Sequence, residues 1–254
     1  MQKTFALTVV AIALVVAGCA GKSGSTDTDL IQMAINNPDR SAEDRERDVR
    51  SRPEAVLALM NLGPGDTAAD VFGGGGYYAE LIAGIVRPEG EVILQNNTPY
   101  SKWVMESLQE KYIDNTVPGI RVLISEVEDL QLGEGTLDAA LMVMSFHDLY
   151  YYNPERGWGN TDVPLFLEQL RTALKPGGRL VIVDHSAKPG TGRAAAQDLH
   201  RIDEAFVREQ IEQAGFTLVA SSDALRNPED KRTKMVFDKS MRGSTDRFIL
   251  AFTR

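Results

Sequence analysis

The 254-residue sequence predicts an α/β fold of the doubly wound kind, a mostly parallel seven-stranded sheet with an antiparallel last strand. Three observations carry this prediction. Short, nearly continuous apolar runs alternate with amphipathic helical patterns, as expected of strands buried on both faces. A tetraglycine bend, Gly73 to Gly76, falls directly between the first such run and the first helical pattern. The last two strand-like runs follow one another without a convincing helix between them, which an antiparallel final pair accommodates.

Taken in order, the chain opens with Lys3 and an uncharged apolar run from Phe5 to Ala17, which ends at Val16-Ala-Gly-Cys19. Roughly 13 residues are too few to cross a hydrocarbon core, which needs about 20, but they match the apolar centre of a signal peptide. The small residues before Cys19 resemble the lipobox of bacterial lipoproteins. That resemblance implies cleavage after residue 18, a lipid on Cys19 as the contact with the membrane, and a periplasm-facing place in the bacterial cell envelope. Cys19 is the sole cysteine, so no disulfide forms within the chain. Residues 19–45 read as the lipidated cysteine and a flexible tether, and residues 46–254 as the folded domain. Within this stretch, Asp39 to Arg52 is dense in charges of both signs and reads as a solvated helix or ordered arm.

Pro53 suits the first turn of a helix whose apolar face is Ala55, Val56, Leu59 and Met60, stopped by Leu62-Gly-Pro-Gly65. Strands are expected at Thr67–Phe72, Glu91–Gln95, Ile120–Ser125, Leu137–Met144, Arg179–Asp184, Phe216–Ser222 and Arg247–Thr253. Helices are expected at Tyr77–Ile85, Lys102–Ile113, Val163–Leu174 and Ile202–Ala214. The formal charge of −9 argues against a nucleic-acid partner, since phosphate backbones are bound through clustered Lys and Arg. The stretch Arg226 to Arg247 runs the other way, with seven basic and four acidic residues; it reads as a solvated hairpin face with some capacity to steer an anion.

The chemistry is concentrated at the carboxyl ends of the expected strands, where doubly wound sheets bind ligands. Glycines 73–76 allow a sharp turn and close backbone approach to a ligand. As a dinucleotide fingerprint the bend fits only the variant ending in alanine, Gly74, Gly76 and Ala79. Two of the three histidines, His147 and His185, end the fourth and fifth strands, each beside an aspartate, Asp148 and Asp184, while His200 follows shortly after. A histidine with a carboxylate neighbour can act as a general base, and the same donors could ligate a divalent metal. Tyr150, Tyr151, Tyr152 and Trp158 could wall a substrate pocket or belong to ordinary packing.

The run Asp70-Val-Phe-Gly-Gly-Gly-Gly76 resembles the loop of class I S-adenosylmethionine-dependent methyltransferases, in which an acidic residue precedes spaced glycines. Asp70, Gly74 and Gly76 fit, and Phe72 replaces the first glycine. Ser125-Glu-Val-Glu-Asp-Leu130, Leu137-Asp-Ala-Ala140 and Leu174-Lys-Pro-Gly-Gly178 through Val183 follow in that family's order. A group of methyltransferases assigned by similarity, often secreted or lipid-anchored, resembles the chain further at Ser145-Phe-His-Asp148, Asp184-His185, His200-Arg-Ile-Asp203 and Arg242-Gly-Ser-Thr-Asp-Arg-Phe248. The resemblance implies a Rossmann-like fold, S-adenosylmethionine as cofactor and a small-molecule acceptor. By position it assigns Asp70, Phe72, Gly73, Gly74, Gly76 and Ser145 to the cofactor loop and its rim, Asn96 to the ribose (where the family usually has Asp or Glu), and Glu126 with Val127 to the adenine. It places His147, Asp148 and His185 at the methyl-accepting atom and assigns no resident metal. Two other readings remain open: a non-catalytic ligand-binding module on the same fold, and a metal-dependent enzyme using the His/Asp pairs.

Overall fold

A computed structural model of the chain describes residues 24–114 and 117–254. Seven strands form one sheet: β1 (Thr67–Val71), β2 (Glu91–Asn96), β3 (Ile120–Ile124), β4 (Leu137–Val143), β5 (Leu174–His185), β6 (Thr217–Ser222) and β7 (Arg247–Thr253). Their spatial order is β3-β2-β1-β4-β5-β7-β6. The first five are parallel, and β7 enters antiparallel between β5 and β6. The chain order reverses at β1, which places a crevice beyond the carboxyl ends of β1 and β4.

One face of the sheet carries α1 (Gly24–Ile35), α3 (Pro53–Met60) and α4 (Tyr77–Val86), packed through Ile31, Ala34, Val56, Met60, Leu81 and Ile85. The other carries α6 (Val163–Ala173) and α8 (Glu204–Gln213) through Phe166, Leu170, Val207 and Ile211. The central strands are buried on both sides, which explains their lack of polar alternation. Asp138 at the entry to β4 accepts from the Thr67 amide and from Lys175 Nζ, tying the starts of three neighbouring strands together.

The folded body begins earlier than the sequence indicates. The tether expected over 19–45 includes α1, whose Ile31 and Ala34 are buried against α4, and the first turn of α2 (Ala42–Ser51). α2 falls in the charged stretch Asp39 to Arg52 that reads as a solvated helix or ordered arm, and ionic contacts hold it to the body. Asp48 takes two hydrogen bonds from the Arg40 guanidinium and one from the Tyr77 hydroxyl, and Ser41 caps the helix by accepting from the Asp44 amide. Cys19 and the apolar run before it lie outside the described residues. No helix among the described residues is long and apolar enough to cross a membrane.

The basic stretch Arg226 to Arg247 also differs from the expected solvated hairpin. It wraps around Arg201, a fully buried guanidinium paired with Asp230 at 2.8 Å and donating to the carbonyls of Ser186 and Lys234. The segment is thereby held over the ends of β5 and β7, where Met235, Val236, Phe237, Arg242, Gly243 and Thr245 face the crevice.

Candidate active site

The crevice is a cavity of about 930 Å³ lined from four directions. The β1–α4 bend contributes Phe72 to Gly75; α5 (Thr98–Leu108) contributes Tyr100, Trp103 and Val104; the ends of β4 and β5 contribute Met144, His147, Asp148 and His185; α2 and the 235–247 segment close the remaining sides. Both halves of the chemistry read from the sequence, the glycine bend and the histidines, therefore face one space. The bend is not closed by its own tyrosines: Tyr77 and Tyr78 stack edge to face at 4.9 Å and are buried beneath α2, with Arg47 4.0 Å above the Tyr77 ring.

Within the bend the glycines differ in role. Gly74 has φ +59° and open space where a side chain would project, so its bare backbone faces the cavity. Gly76 is left-handed at φ +87° and packs against Tyr112, which leaves no room for a β-carbon. Asp70 is buried behind the bend and accepts from the Ala79 amide in the first turn of α4. Burial raises its pKa to about 7, against the weaker opposing pull of Arg47 and that hydrogen bond. Phe72, at φ +54°, is stacked between Tyr100 at 5.2 Å and Phe166 at 5.7 Å. Phe72, Met144 and His200 all line the cavity with positive φ, so backbone strain is gathered at this site.

Asn96 lies behind the bend rather than in the cavity. It is fully buried, accepts from the Gly74 amide at 2.9 Å and donates to the Gly74 carbonyl at 3.0 Å. Its amide thus fixes the bend from below. Glu126 is exposed and bound to the hydroxyl and amide of Thr98, and Val127 packs into the core; neither lines the cavity. Ser145 is buried below the rim with its hydroxyl unpartnered.

Of the two His/Asp pairs adjacent in sequence, His147 and Asp148 meet, whereas Asp184 and His185 do not. Neighbours on a strand project to opposite sides, so Asp184 and His185 cannot serve one ligand together. Asp184 turns to His147, accepting from its amide and meeting Nδ1, both at 2.8 Å. His147 Nε2 meets Asp148 at 3.3 Å. Burial opposes its charged form, but Asp148 and Asp184 overcome this and raise the His147 pKa to about 9. Asp148 also accepts from the Tyr100 hydroxyl at 2.5 Å and lies 3.4 Å from His200 Nδ1. Burial would raise the Asp148 pKa; His147, His200 and Tyr100 together hold it below the ordinary carboxylate range. His185 is set apart, with Nδ1 at 2.7 Å from the Thr245 hydroxyl. Burial first, then the positive charge around it, keeps His185 neutral.

His200 and Tyr100 were not assigned from sequence. His200 stands on a left-handed turn after α7 (Ala196–Leu199), held against Tyr151 at 4.8 Å and Phe237 at 5.0 Å, its polar contact being Nδ1 to Asp148, with Nε2 free of partners among the described residues. Its signals in the sequence were its rarity as one of three histidines and its place in the shared run His200-Arg-Ile-Asp203. Among the described residues, His147, Asp148 and His200 have donor atoms within 4.8 Å of one another, a spacing that a divalent cation could bridge. Asp184 and His185, which the sequence placed in such a set, point elsewhere. Tyr151 and Trp158 wall the cavity, as one reading of the aromatic cluster expected, while Tyr150 packs on Phe206.

Residues 70–182 match the model of a methyltransferase domain family, a span just under half of the chain. The fold is that of S-adenosylmethionine-dependent methyltransferases. A methyltransferase of this kind from Aquifex aeolicus aligns over 91% of this chain and 98% of its own, with a TM-score of 0.53 and 19% identity. Geranyl diphosphate C-methyltransferase from Streptomyces coelicolor A3(2), solved with Mg2+, geranyl diphosphate and S-adenosyl-L-homocysteine, aligns over 88% and 87%, with a TM-score of 0.54 and 15% identity. Among curated sequences, the ubiquinone/menaquinone biosynthesis C-methyltransferase UbiE of Teredinibacter turnerae is 23% identical over 146 residues, 57% of this chain and 53% of that protein. The chain thus spans about half the length of the curated relatives it matches.

Proposed function

We propose that the protein is an S-adenosylmethionine-dependent methyltransferase acting on a small molecule in the bacterial cell envelope, where a lipid on Cys19 holds it. The observation that carries the catalytic part is the single cavity onto which both the bare glycine bend and the His147–Asp148–His200 cluster open. The methyltransferase names of the relatives and the S-adenosyl-L-homocysteine bound in a structural neighbour support the cofactor class. The run of small residues ending at Cys19 supports the anchor.

The cavity fits the cofactor at the bend, where Gly74 leaves its backbone open and no side chain intrudes. Gly73 to Gly75 would hold its amino-acid end, and Phe72, Tyr100, Trp103 and Val104 would wall the nucleoside. When bound, S-adenosylmethionine supplies a methyl group on a sulfonium, a good leaving group, so the protein's own task is alignment and exclusion of water. For an acceptor that must lose a proton, His200 suits the base role better than His147. Both nitrogens of His147 are taken by carboxylates, whereas His200 presents a free Nε2 and is oriented through Nδ1 by Asp148. His147 and Tyr100 would hold Asp148 in place. The aromatic wall of Tyr151, Trp158 and Phe237 would keep water from the reacting atoms.

One observation favours the non-catalytic module: the Asn96 amide is committed to Gly74, leaving no group there for a ribose hydroxyl. Calorimetric titration with S-adenosyl-L-homocysteine decides between the two. Binding at micromolar concentration is expected, reduced at least tenfold in Gly74→Val, whose side chain would project into the cavity. Absence of binding, or binding indifferent to Gly74→Val, defeats the proposal.

A further inference from the structure

The cavity lining holds five arginines against three carboxylates, Glu43, Asp44 and Asp148. Elsewhere in the described structure guanidinium groups are often matched: Arg40 with Asp48, Arg121 with Glu91, Arg201 with Asp230, Arg226 with Glu204 and Arg232 with Asp246. The five that line the cavity, Arg47, Arg50, Arg156, Arg242 and Arg247, form no ion pair among the described residues, although the chain as a whole carries −9. Arg47 lies over the Tyr77 ring beside the glycine bend. Arg50 lies one turn further along α2, and its carbonyl accepts from Arg247.

Arg247 is the most telling of these. It is only 8% exposed, so its guanidinium has left bulk water, yet no anion compensates it. Nη2 donates to the Arg50 carbonyl at 2.6 Å, Nε is buried with no partner, and Nη1 meets no protein acceptor. Its nearest carboxylate in sequence, Asp246, is already bound by Arg232 at 2.9 Å and by the Asn227 amide. Burial lowers the Arg247 pKa, and the positive charges of Arg47 and Arg50 add to that, with only Tyr78 and Asp246 opposing. A buried cation left this way is costly unless something of opposite charge completes it.

It stands on a different strand from the one that leads into the cofactor bend, though its guanidinium reaches back to α2. Arg247 pairs with His185 across β5 and β7, and β7 lies three strands from β1, about 14 Å at the usual strand spacing. His147, which follows β4, packs its ring 6.0 Å from His185 and 5.4 Å from His200.

Building on the methyltransferase reading, we infer that Arg247, with Arg242 and Arg50, forms a subsite for an anionic group, a carboxylate or phosphate, on the methyl acceptor. The acceptor is then an anion whose charged end sits at β7, while its reacting atom lies near His200 and its body contacts Tyr151 and Phe237. The guanidinium supplies a fork of donors suited to either oxyanion. A carboxylate belonging to the cofactor's amino-acid end is the rival source of the same chemistry, and Arg47 is better placed to meet it.

The test titrates the purified chain with benzoate and, separately, with inorganic phosphate, against chloride at matched ionic strength, and repeats the S-adenosyl-L-homocysteine titration with the probe saturating. The expected result is millimolar or tighter binding of at least one probe, with S-adenosyl-L-homocysteine affinity unchanged within twofold. Arg247→Met should weaken the probe at least tenfold and S-adenosyl-L-homocysteine less than twofold. Should Arg247→Met fail to fold, the exposed Arg242→Gln is expected to weaken the probe at least threefold. Competition between probe and S-adenosyl-L-homocysteine assigns the arginines to the cofactor and overturns the inference, as does binding no stronger than chloride or indifferent to both substitutions. S-adenosyl-L-homocysteine binding without probe binding sinks the subsite alone. Probe binding that depends on Arg247, without S-adenosyl-L-homocysteine binding, upholds the anion site and sinks the methyltransferase reading.

Discussion

Asp70 shows how a residue can be placed by position and still act through burial. Its carboxyl receives the first-turn amide of α4, but desolvation outweighs that bond and raises its pKa to about 7. The unfolded value is near 3.9. A group whose folded pKa is raised stabilises most fully below its unfolded pKa, and that contribution is lost as pH rises through the folded value. Asp70→Asn cannot titrate, so its stability relative to the parent chain should improve by about 2 kcal/mol between pH 5.5 and 7, then level off. Denaturant unfolding at pH 5.5, 6.5, 7.5 and 8.5 measures this, and a difference that stays flat across the series counts against the buried-carboxyl account. The same scale explains why His147 and His200 exchange roles relative to the sequence reading. Two carboxylates close on one imidazole, and the other is left with a free nitrogen.

The element that most shapes the cavity is the connection from β6 to β7. It has little regular structure and owes its position to the Arg201–Asp230 pair, buried at 0% and 2% side-chain exposure. Asp230 also accepts the Asp246 and Arg232 amides, so the pair pins two parts of the segment at once. Removing one partner leaves an uncompensated buried charge, which costs about 3–5 kcal/mol. Arg201→Met and Asp230→Asn are each expected to lower the urea midpoint accordingly, whereas Arg208→Gln, which breaks an exposed helical pair, should shift it by less than about 0.5 kcal/mol. Equal effects from the buried and exposed pairs would show that the segment is held by something else. From sequence, this stretch was visible only as a local surplus of positive charge. The buried arginine that organises it lies 25 residues or more upstream, and no local pattern joins the two.

For the whole molecule, the sheet, two covering layers and a wall of α2 enclose one cavity, and the proposed lipid at Cys19 would hold that cavity near a membrane surface. In cells making the full chain, labelled palmitate is expected on the protein and most of it should sediment with membranes, while Cys19→Ser should lose the label and become soluble. Labelling that persists in Cys19→Ser would reject the anchor. With the leader removed, the short tether before α1 would leave the domain close to the bilayer, because α1 is part of the folded body through Ile31 and Ala34.

The sequence by itself determined the strand order of events: seven apolar runs, the glycine bend after the first, and histidines after the fourth and fifth. Each of these is local, written in hydrophobic period, in glycine's freedom or in adjacency along the chain, so it could be read without coordinates. Tertiary structure alone decided which acid met which base, that Asn96 would brace the bend, that α2 would become a wall, and that five unpaired arginines would face one space. Those outcomes depend on side chains brought together from distant segments, where opposite strand faces, burial and the satisfaction of charge select among partners that sequence spacing leaves equal.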